Sequence, residues 1–350
     1  MDVNPLISRR ELLKRSTSAA GATLLARTVA ASASLPLITK PIPSSGERIP
    51  VIGLGTIWYR STQSSALRQL LERMQLLGGT VVDTAAAYGE SEEVIGRALA
   101  DAKLRSKMFV ASKFNAGDAG SGPPTGNGPP QGFAHPRGVA PIPGPPAGIE
   151  RAERDGVGGA ASFDRSLTRL RTSYLDLLQV HSMSGTDELL PLLVQWKQAR
   201  RIRYLGVTTS SPDQHAAVVA AMQRYTLDFI QVDYSLANRT VADRVLPVAL
   251  ERRVGVLVNL PLGRATLLTR LAGTPLPPWA ADFDVHSWSQ FLLKYVVSHP
   301  AVTCAIPGSL HLEHLVDNQG AGRGRLPDAA TRTRMEQLWD GYVGNQPGAQ

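Results

Sequence analysis

The chain has 350 residues, with 37 Lys and Arg against 29 Asp and Glu, a formal net charge of +8, and 43% hydrophobic residues. That composition excludes a disordered chain, a collagen and a multi-span membrane protein, and the length admits two domains or one large α/β barrel. The single cysteine, Cys304, excludes an internal disulfide and a cysteine-cluster zinc site.

The N-terminus reads as an address. Arg9-Arg10 precedes a mildly apolar stretch over residues 16–26, and Ala31-Ser32-Ala33 supplies a small-x-small cleavage site. Basic, apolar, small-residue is the order of a secretory signal. The paired arginines resemble a twin-arginine export signal, with Leu12 where a Phe is common. Residues 1–33 are therefore expected to engage the twin-arginine export machinery and to send the protein to the periplasm or another extracytoplasmic space. The competing reading is an amphipathic N-terminal helix on a cytoplasmic protein. The apolar stretch is too short and too weak for a stable membrane span. Past this segment the basic residues scatter, with no run longer than Arg200-Arg201 or Arg252-Arg253, so no nucleic-acid partner is expected.

Beyond the signal, short apolar β-rich runs alternate with longer helical patterns. Strands are expected at 51–54, 80–83, 108–112, 175–180, 202–207, 229–232, 254–258 and 302–306. Near-continuous apolar runs suit parallel strands covered on both faces. Helices are expected at 65–77, 91–102, 163–172, 188–200, 212–224, 241–252 and 286–298, with a last one at 327–341. Pro212 behind Ser211 marks one helix start. Eight such units predict an α/β fold, a single-domain (β/α)8 TIM barrel over residues 45–340. An open doubly wound sheet would show a G-x-G-x-x-G turn after its first strand, and none stands there.

One stretch breaks the alternation. Residues 115–160 hold 12 Gly and 9 Pro, which predicts an irregular or disordered insertion after the third strand. It leaves from the rim where such barrels carry their active sites. Phe133, His135 and Arg137 are its main contact-forming side chains, and the stretch reads either as a bare solvated insertion or as a lid or docking loop.

Four polar residues fall at or just past early strand ends: Asp83, Tyr88, Lys113 and His181. In a barrel these ends converge, so a carboxylate, a phenol, an ammonium and an imidazole would share one pocket. An unperturbed phenol has a pKa of about 10, and a neighbouring ammonium lowers it. Asp83 is suited to hold that ammonium, and His181 to donate to a substrate oxygen. The set can protonate a carbonyl oxygen as negative charge develops there. It supplies no hydride, so a cofactor is implied.

Val51-Ile52-Gly53-Leu54-Gly55-Thr56, Asp83 to Tyr88-Gly89, Ala111-Ser112-Lys113, residues 174–181 and Ile306-Pro307-Gly308-Ser309 together resemble the aldo-keto reductase family. The resemblance covers roughly residues 45–340 apart from the insertion. It implies a (β/α)8 barrel that reduces an aldehyde or ketone with NADP or NAD. By position, it makes Tyr88 the proton donor, has Lys113 and Asp83 tune it, and has His181 orient the carbonyl. It places Thr56, Thr208, Thr209, Gln231, Leu262, Gly263, Gly308, Ser309 and Asn318 on the cofactor. Thr208-Thr209 stands where the family usually has Ser-Asn on the nicotinamide carboxamide, and Asn259 where a stacking aromatic is common. Leu310, His311 and His314 occupy the region where basic residues usually read the 2′-phosphate, which leaves NADP against NAD open.

Other readings stay beside this one. A regulatory or scaffold protein could bind the cofactor on the same barrel with little turnover. A barrel isomerase or lyase could use Tyr88 and His181 without a nicotinamide. Trp58 could wall the substrate pocket or simply pack. His311 and His314 lack a third ligand, so no metal is expected.

Overall fold

The computed structural model describes residues 35–57, 59–115 and 158–344. The segment read as an export signal, residues 1–33, lies outside the described residues, as do Trp58 and residues 116–157 with Phe133, His135 and Arg137.

The described chain enters through an antiparallel hairpin, β1 (Thr39–Pro41) and β2 (Arg48–Pro50). Its turn closes where Gly46, at φ +78°, donates its N–H to Ile42 O at 2.8 Å. A left-handed residue there favours glycine. Eight parallel strands follow, each beside its predecessor: β3 (Leu54–Gly55), β4 (Val81–Asp83), β5 (Phe109–Phe114), β6 (Leu175–Val180), β7 (Ile202–Thr208), β8 (Phe229–Asp233), β9 (Gly255–Asn259) and β10 (Cys304–Ala305). The ends of this sheet meet. Gly53 donates to Ala305 O at 2.8 Å, Ala305 to Val51 O at 2.9 Å, and Gly55 to Pro307 O at 3.1 Å. The sheet is therefore a closed (β/α)8 barrel.

Helices wrap the outside: α1 (Ser64–Leu76), α2 (Ser91–Asp101), α3 (Gly158–Arg169), α4 (Thr186–Gln198), α5 (His215–Arg224), α6 (Val241–Glu251), α7 (Thr266–Arg270), α8 (Trp288–Val297), α9 (Leu312–Gly320) and α10 (Ala329–Gly344). The apolar spacing of α1 shows why: Leu67, Leu70, Leu71 and Met74 form one buried stripe. Helix α3 starts at Gly158, earlier than the expected 163 and inside the stretch read as irregular. The Gly-Gly pair hid that start, because glycine weakens helical propensity. Buried Glu92 then fixes this helix: it accepts from Ser112 Oγ at 2.6 Å and from Arg169 Nε at 2.8 Å. The first and last barrel strands are shorter than the expected 51–54 and 302–306, and they meet each other only through the isolated bridges Ile52–Ala305 and Gly55–Gly308.

Strand residues alternate between the helices and the barrel interior, as a period of two requires. Val81, Phe109, Leu177, Tyr204, Phe229 and Leu257 form an inner apolar cluster with Ile42 and Ile49 of the hairpin, which floors the barrel. Two residues further along their strands, the inward positions become Asp83, Lys113 (four beyond Phe109), Gln179, Gln231 and Asn259. The interior thus changes from apolar to polar toward the C-terminal ends of the strands. The hairpin is anchored by Lys40, whose ammonium donates to Val297 O, His299 O and Val302 O at 2.7, 2.8 and 2.7 Å.

Candidate active site

Four inputs build the centre of the polar layer. Asp83 is the last residue of β4, and Lys113 stands beside it on β5. Both are buried, and Lys113 Nζ donates to Asp83 Oδ1 at 2.5 Å and to Thr84 O at 2.8 Å. A hydrogen bond between Lys113 and the Tyr88 hydroxyl uses the third donor of the ammonium. The ammonium also sits 5.0 Å from the centroid of the Tyr88 ring. His181 follows β6 at the start of a tight turn in which Ser182 and Met183 have φ of +52° and +58°. That turn brings the imidazole edge-on to Tyr88, with ring centroids 5.8 Å apart. The structure thus gathers all four residues singled out in the sequence.

The electrostatics differ from the sequence expectation in one respect. Burial raises the Tyr88 phenol above its usual value, and the opposing pull of Lys113 does not reverse this. The phenol is therefore held protonated, which is the form a proton donor needs. Burial likewise pushes Asp83 up, against the pull of Lys113 and of hydrogen bonds from Lys113 and Gln231. His181 falls to about 3, chiefly through burial and secondly through Lys113, so its imidazole is neutral at ordinary pH. A neutral imidazole keeps one N–H to donate.

The residues assigned to the cofactor by resemblance divide into those on the rim of this centre and those set apart. Thr56 is buried and donates its hydroxyl to Asp83 O at 2.7 Å, so it braces the strand carrying the carboxylate. Thr208 Oγ1 accepts from Ser182 N at 3.1 Å and so supports the turn behind His181. The hydroxyl of Thr209 is committed to its own loop: it meets Gln214 Oε1 at 2.5 Å and accepts from Ser211 N at 3.0 Å. Gln231 donates to Asp83 Oδ1 at 3.2 Å.

Leu262 packs against the core, and Gly263 has φ +55°, where an added Cβ would lie 2.1 Å from Leu267 Cδ1. Gly308 lies against Gly55 across the seam. Ser309 Oγ donates to His311 O at 2.9 Å, and its own carbonyl accepts from Tyr59 OH. Asn318 is buried on α9, and its Oδ1 accepts from Ser289 Oγ at 2.6 Å. His311 and His314 meet edge-on with centroids 5.3 Å apart; among the described residues no group of three or more His, Cys, Asp or Glu is arranged for a metal.

Three residues not assigned a role from the sequence belong to the site. Gln179 points into the barrel two residues before His181, and its Nε2 donates to Gln231 Oε1 at 3.5 Å. Strand alternation from Leu177 was the signal for it. Thr84 supplies a carbonyl to Lys113. Arg264 stands in a run of three left-handed residues, Gly263, Arg264 and Ala265, and its charge acts on both Tyr88 and Asp233. A cation directly after a rim glycine was the only sequence hint.

Among the described residues, Asp83 Oδ2, Thr84 Oγ1, Gln179 Oε1 and Asn259 Oδ1 are buried without a hydrogen-bond partner. All four lie at or just past strand ends, around the same centre. Buried polar atoms left unpaired are costly. Their concentration here fits a bound group that brings a hydrogen-bond donor to the polar layer, such as the carboxamide –NH2 of a nicotinamide.

A model of the aldo/keto reductase family matches residues 51–339. Methylglyoxal reductase YeaE of Escherichia coli is 28% identical over 293 residues, covering 80% of this chain and 88% of its own. The NADP(+)-dependent aldo-keto reductase yakc of Schizosaccharomyces pombe is 26% identical over 330 residues, covering 83% of this chain and 88% of its own. The crystal structure of an aldo-keto reductase from Klebsiella pneumoniae in complex with NADPH superposes with a TM-score of 0.65. It is 23% identical and covers 87% of this chain and 96% of that one, a likeness of fold.

Proposed function

The chain belongs to the aldo/keto reductase family and is an NAD(P)H-dependent oxidoreductase of carbonyl compounds, and we propose that Tyr88 is its proton donor. The observation that carries this reading is the buried Lys113 ammonium, shared between the Asp83 carboxylate and the Tyr88 hydroxyl, with the neutral His181 ring edge-on to the phenol.

When bound, the nicotinamide supplies a hydride to the carbonyl carbon. Tyr88 gives its hydroxyl proton to the carbonyl oxygen as charge builds there. Lys113 then faces the phenolate that remains and stabilises it electrostatically. Asp83 holds the ammonium in place and keeps a buried cation compensated. His181, with its single N–H, orients the carbonyl oxygen toward Tyr88. Gln231, Thr208 and Asn259 border the same centre and would hold the nicotinamide end. Gly263 and Gly308 leave bare backbone for the phosphates, and Ser309 and Asn318 would meet the adenosine end. A scaffold without turnover has no use for a buried ammonium committed to a phenol.

The substrate is an aldehyde or ketone. Methylglyoxal heads the panel to be tested, because a relative bears that name. The experiment is turnover of this panel with NADPH and NADH, read as loss of the reduced cofactor's absorbance, alongside binding of each cofactor by tryptophan quenching. Binding without turnover of any aldehyde or ketone would sink the catalytic reading, and absence of binding would sink the cofactor reading.

We further propose that residues 1–33 direct twin-arginine export, with the cofactor loaded before transit, and that residues 115–157, ahead of α3, form an insertion on the rim. Arg9-Arg10 and Ala31-Ser32-Ala33 support the first reading. Replacing the arginine pair by Lys-Lys should trap the protein in the cytoplasm; unchanged export would reject it.

A further inference from the structure

Four turns at the N-terminal end of the barrel share one unusual choice of residue. Lys103, Arg171, Arg200 and Arg253 follow α2, α3, α4 and α6, ahead of β5, β6, β7 and β9, and have φ of +53°, +52°, +57° and +56°. Each closes its helix in the same way. Its own N–H returns to the carbonyl three residues back and the next N–H to the carbonyl five back, as in Lys103 N to Ala100 O at 3.1 Å and Leu104 N to Leu99 O at 2.9 Å. Glycine is the usual occupant of this motif, because a side chain is strained in the left-handed region. The turn after α1 shows that ordinary solution: Gly78 has φ +84°, its N–H meets Gln75 O at 3.0 Å, and Gly79 N meets Met74 O at 2.9 Å. The helix dipole favours a cation anywhere in the last turn, so it does not require one at the strained position.

All four residues are exposed, and among the described residues none of them is ion-paired; Arg253 donates to Pro43 O at 3.3 Å. Lys107 and Arg252 stand exposed in the same turns, against the exposed carboxylates of Asp101 and Glu251. Charges that scatter along the sequence thus converge on one end of the barrel, because they recur at the same place in successive β/α units. That end lies opposite Asp83 and Lys113, which stand toward the C-terminal ends of their strands. The chain ahead of Leu35 joins here as well. Arg323 donates to Leu35 O and to Leu77 O, both at 2.7 Å, and Leu77 closes α1 at the fifth of these turns. The residues ahead of that junction include Arg9-Arg10 and the mildly apolar 16–26, a mixture of charge and apolar surface that suits a lipid interface.

We propose that this end of the barrel docks on a membrane surface rich in anionic lipid, with Lys103, Arg171, Arg200 and Arg253 meeting the headgroup phosphates and the active centre turned away from the bilayer. The cations are spread around the end of a barrel and do not follow one helix or one groove, a layout that matches a broad charged surface and not a nucleic-acid duplex. The attachment is peripheral: no helix of the described residues is long and apolar enough to cross a membrane. It is also reversible, since each cation adds only a small increment that salt screens.

The test is sedimentation of the full chain with vesicles of phosphatidylcholine, alone or mixed with phosphatidylglycerol. The protein should bind the anionic vesicles at low salt, ignore the neutral ones and come off at high salt. Lys103→Gly, Arg171→Gly, Arg200→Gly and Arg253→Gly together suit each backbone conformation, so this variant should fold. Its binding should fall by about fivefold for each cation removed, and by at least about a hundredfold in all. Asparagine at the same four places also tolerates this φ and serves should the glycine variant unfold. Arg171→Lys, Arg200→Lys and Arg253→Lys together keep the charge and should keep the binding. A glycine variant that binds as tightly as wild type overturns the proposal, because the residues ahead of Leu35 then carry the attachment. Equal binding to neutral and anionic vesicles overturns it too. So does tighter binding to duplex DNA than to the anionic vesicles, which would make this a nucleic-acid face.

Discussion

Lys113 and Asp83 form an ion pair at 2.5 Å with both side chains at most 3% exposed. Removing either partner leaves the other charge buried and uncompensated, which costs about 3–5 kcal/mol. Lys113→Met should therefore lower folding stability by roughly that amount. Adding Asp83→Asn should recover most of the loss without restoring activity. Denaturant unfolding of the two variants checks this, and a double variant as unstable as the single one would show that the pair is not the source.

Tyr88→Phe removes the hydroxyl and keeps the ring against His181 and Lys113. Reduction should fall by about 10²- to 10⁴-fold, the usual worth of a positioned general acid. Cofactor affinity should stay within about twofold, since no base of the binding site is touched. Turnover and tryptophan quenching are measured side by side. Turnover close to wild type would reject Tyr88 as the donor.

Arg264 and Lys113 both oppose the burial that raises the Tyr88 phenol. Arg264→Gln takes away one of these cations and makes the phenol a weaker acid. The expected result is a fall in kcat of about two- to threefold, with any alkaline limb of the rate profile moved to higher pH. A limb that moved to lower pH would contradict the sign of the interaction.

Two imidazoles are held neutral in the folded chain, His181 at about 3 and His299 at about 4, each mainly by burial. The nitrogen of His299 also accepts from Ala301 N at 3.2 Å, which requires it unprotonated. Unfolding returns both rings to the ordinary value near 6.5. Between about pH 6.5 and 4 the unfolded chain thus binds more protons than the folded one. Stability should be fully present above that window and decline as pH falls through it. Replacing His299 by Gln should flatten the decline, as measured by denaturant midpoints from pH 7 to pH 4.5.

Much of this architecture is legible in the sequence, for physical reasons that apply residue by residue. Period-two alternation from Phe109, Leu177 and Phe229 leads to Lys113, Gln179 and Gln231, so the polar layer can be read without coordinates. The hairpin β1–β2 cannot. Its strands are three residues each, both end in proline, and the pattern reads as loop. The direction of the Tyr88 shift was also hidden: the sequence names the ammonium beside the phenol, but burial, the larger effect, depends on how the whole rim packs. Nor does sequence tell that the Thr209 hydroxyl turns back onto Gln214, since that depends on a tight turn at Pro212.

The seam that shuts the barrel joins Gly53 to Ala305, near opposite ends of the chain. During synthesis the sheet therefore grows with an open flank until almost everything has left the ribosome, and such delayed long-range closure is the slow step expected of this topology. An open flank is also an invitation to pair with a neighbouring chain. The two strands that border it, Leu54–Gly55 and Cys304–Ala305, are only two residues long each. The edge that waits throughout, Leu54–Gly55, offers a stranger very little backbone to grasp, which limits pairing between nascent copies at that flank.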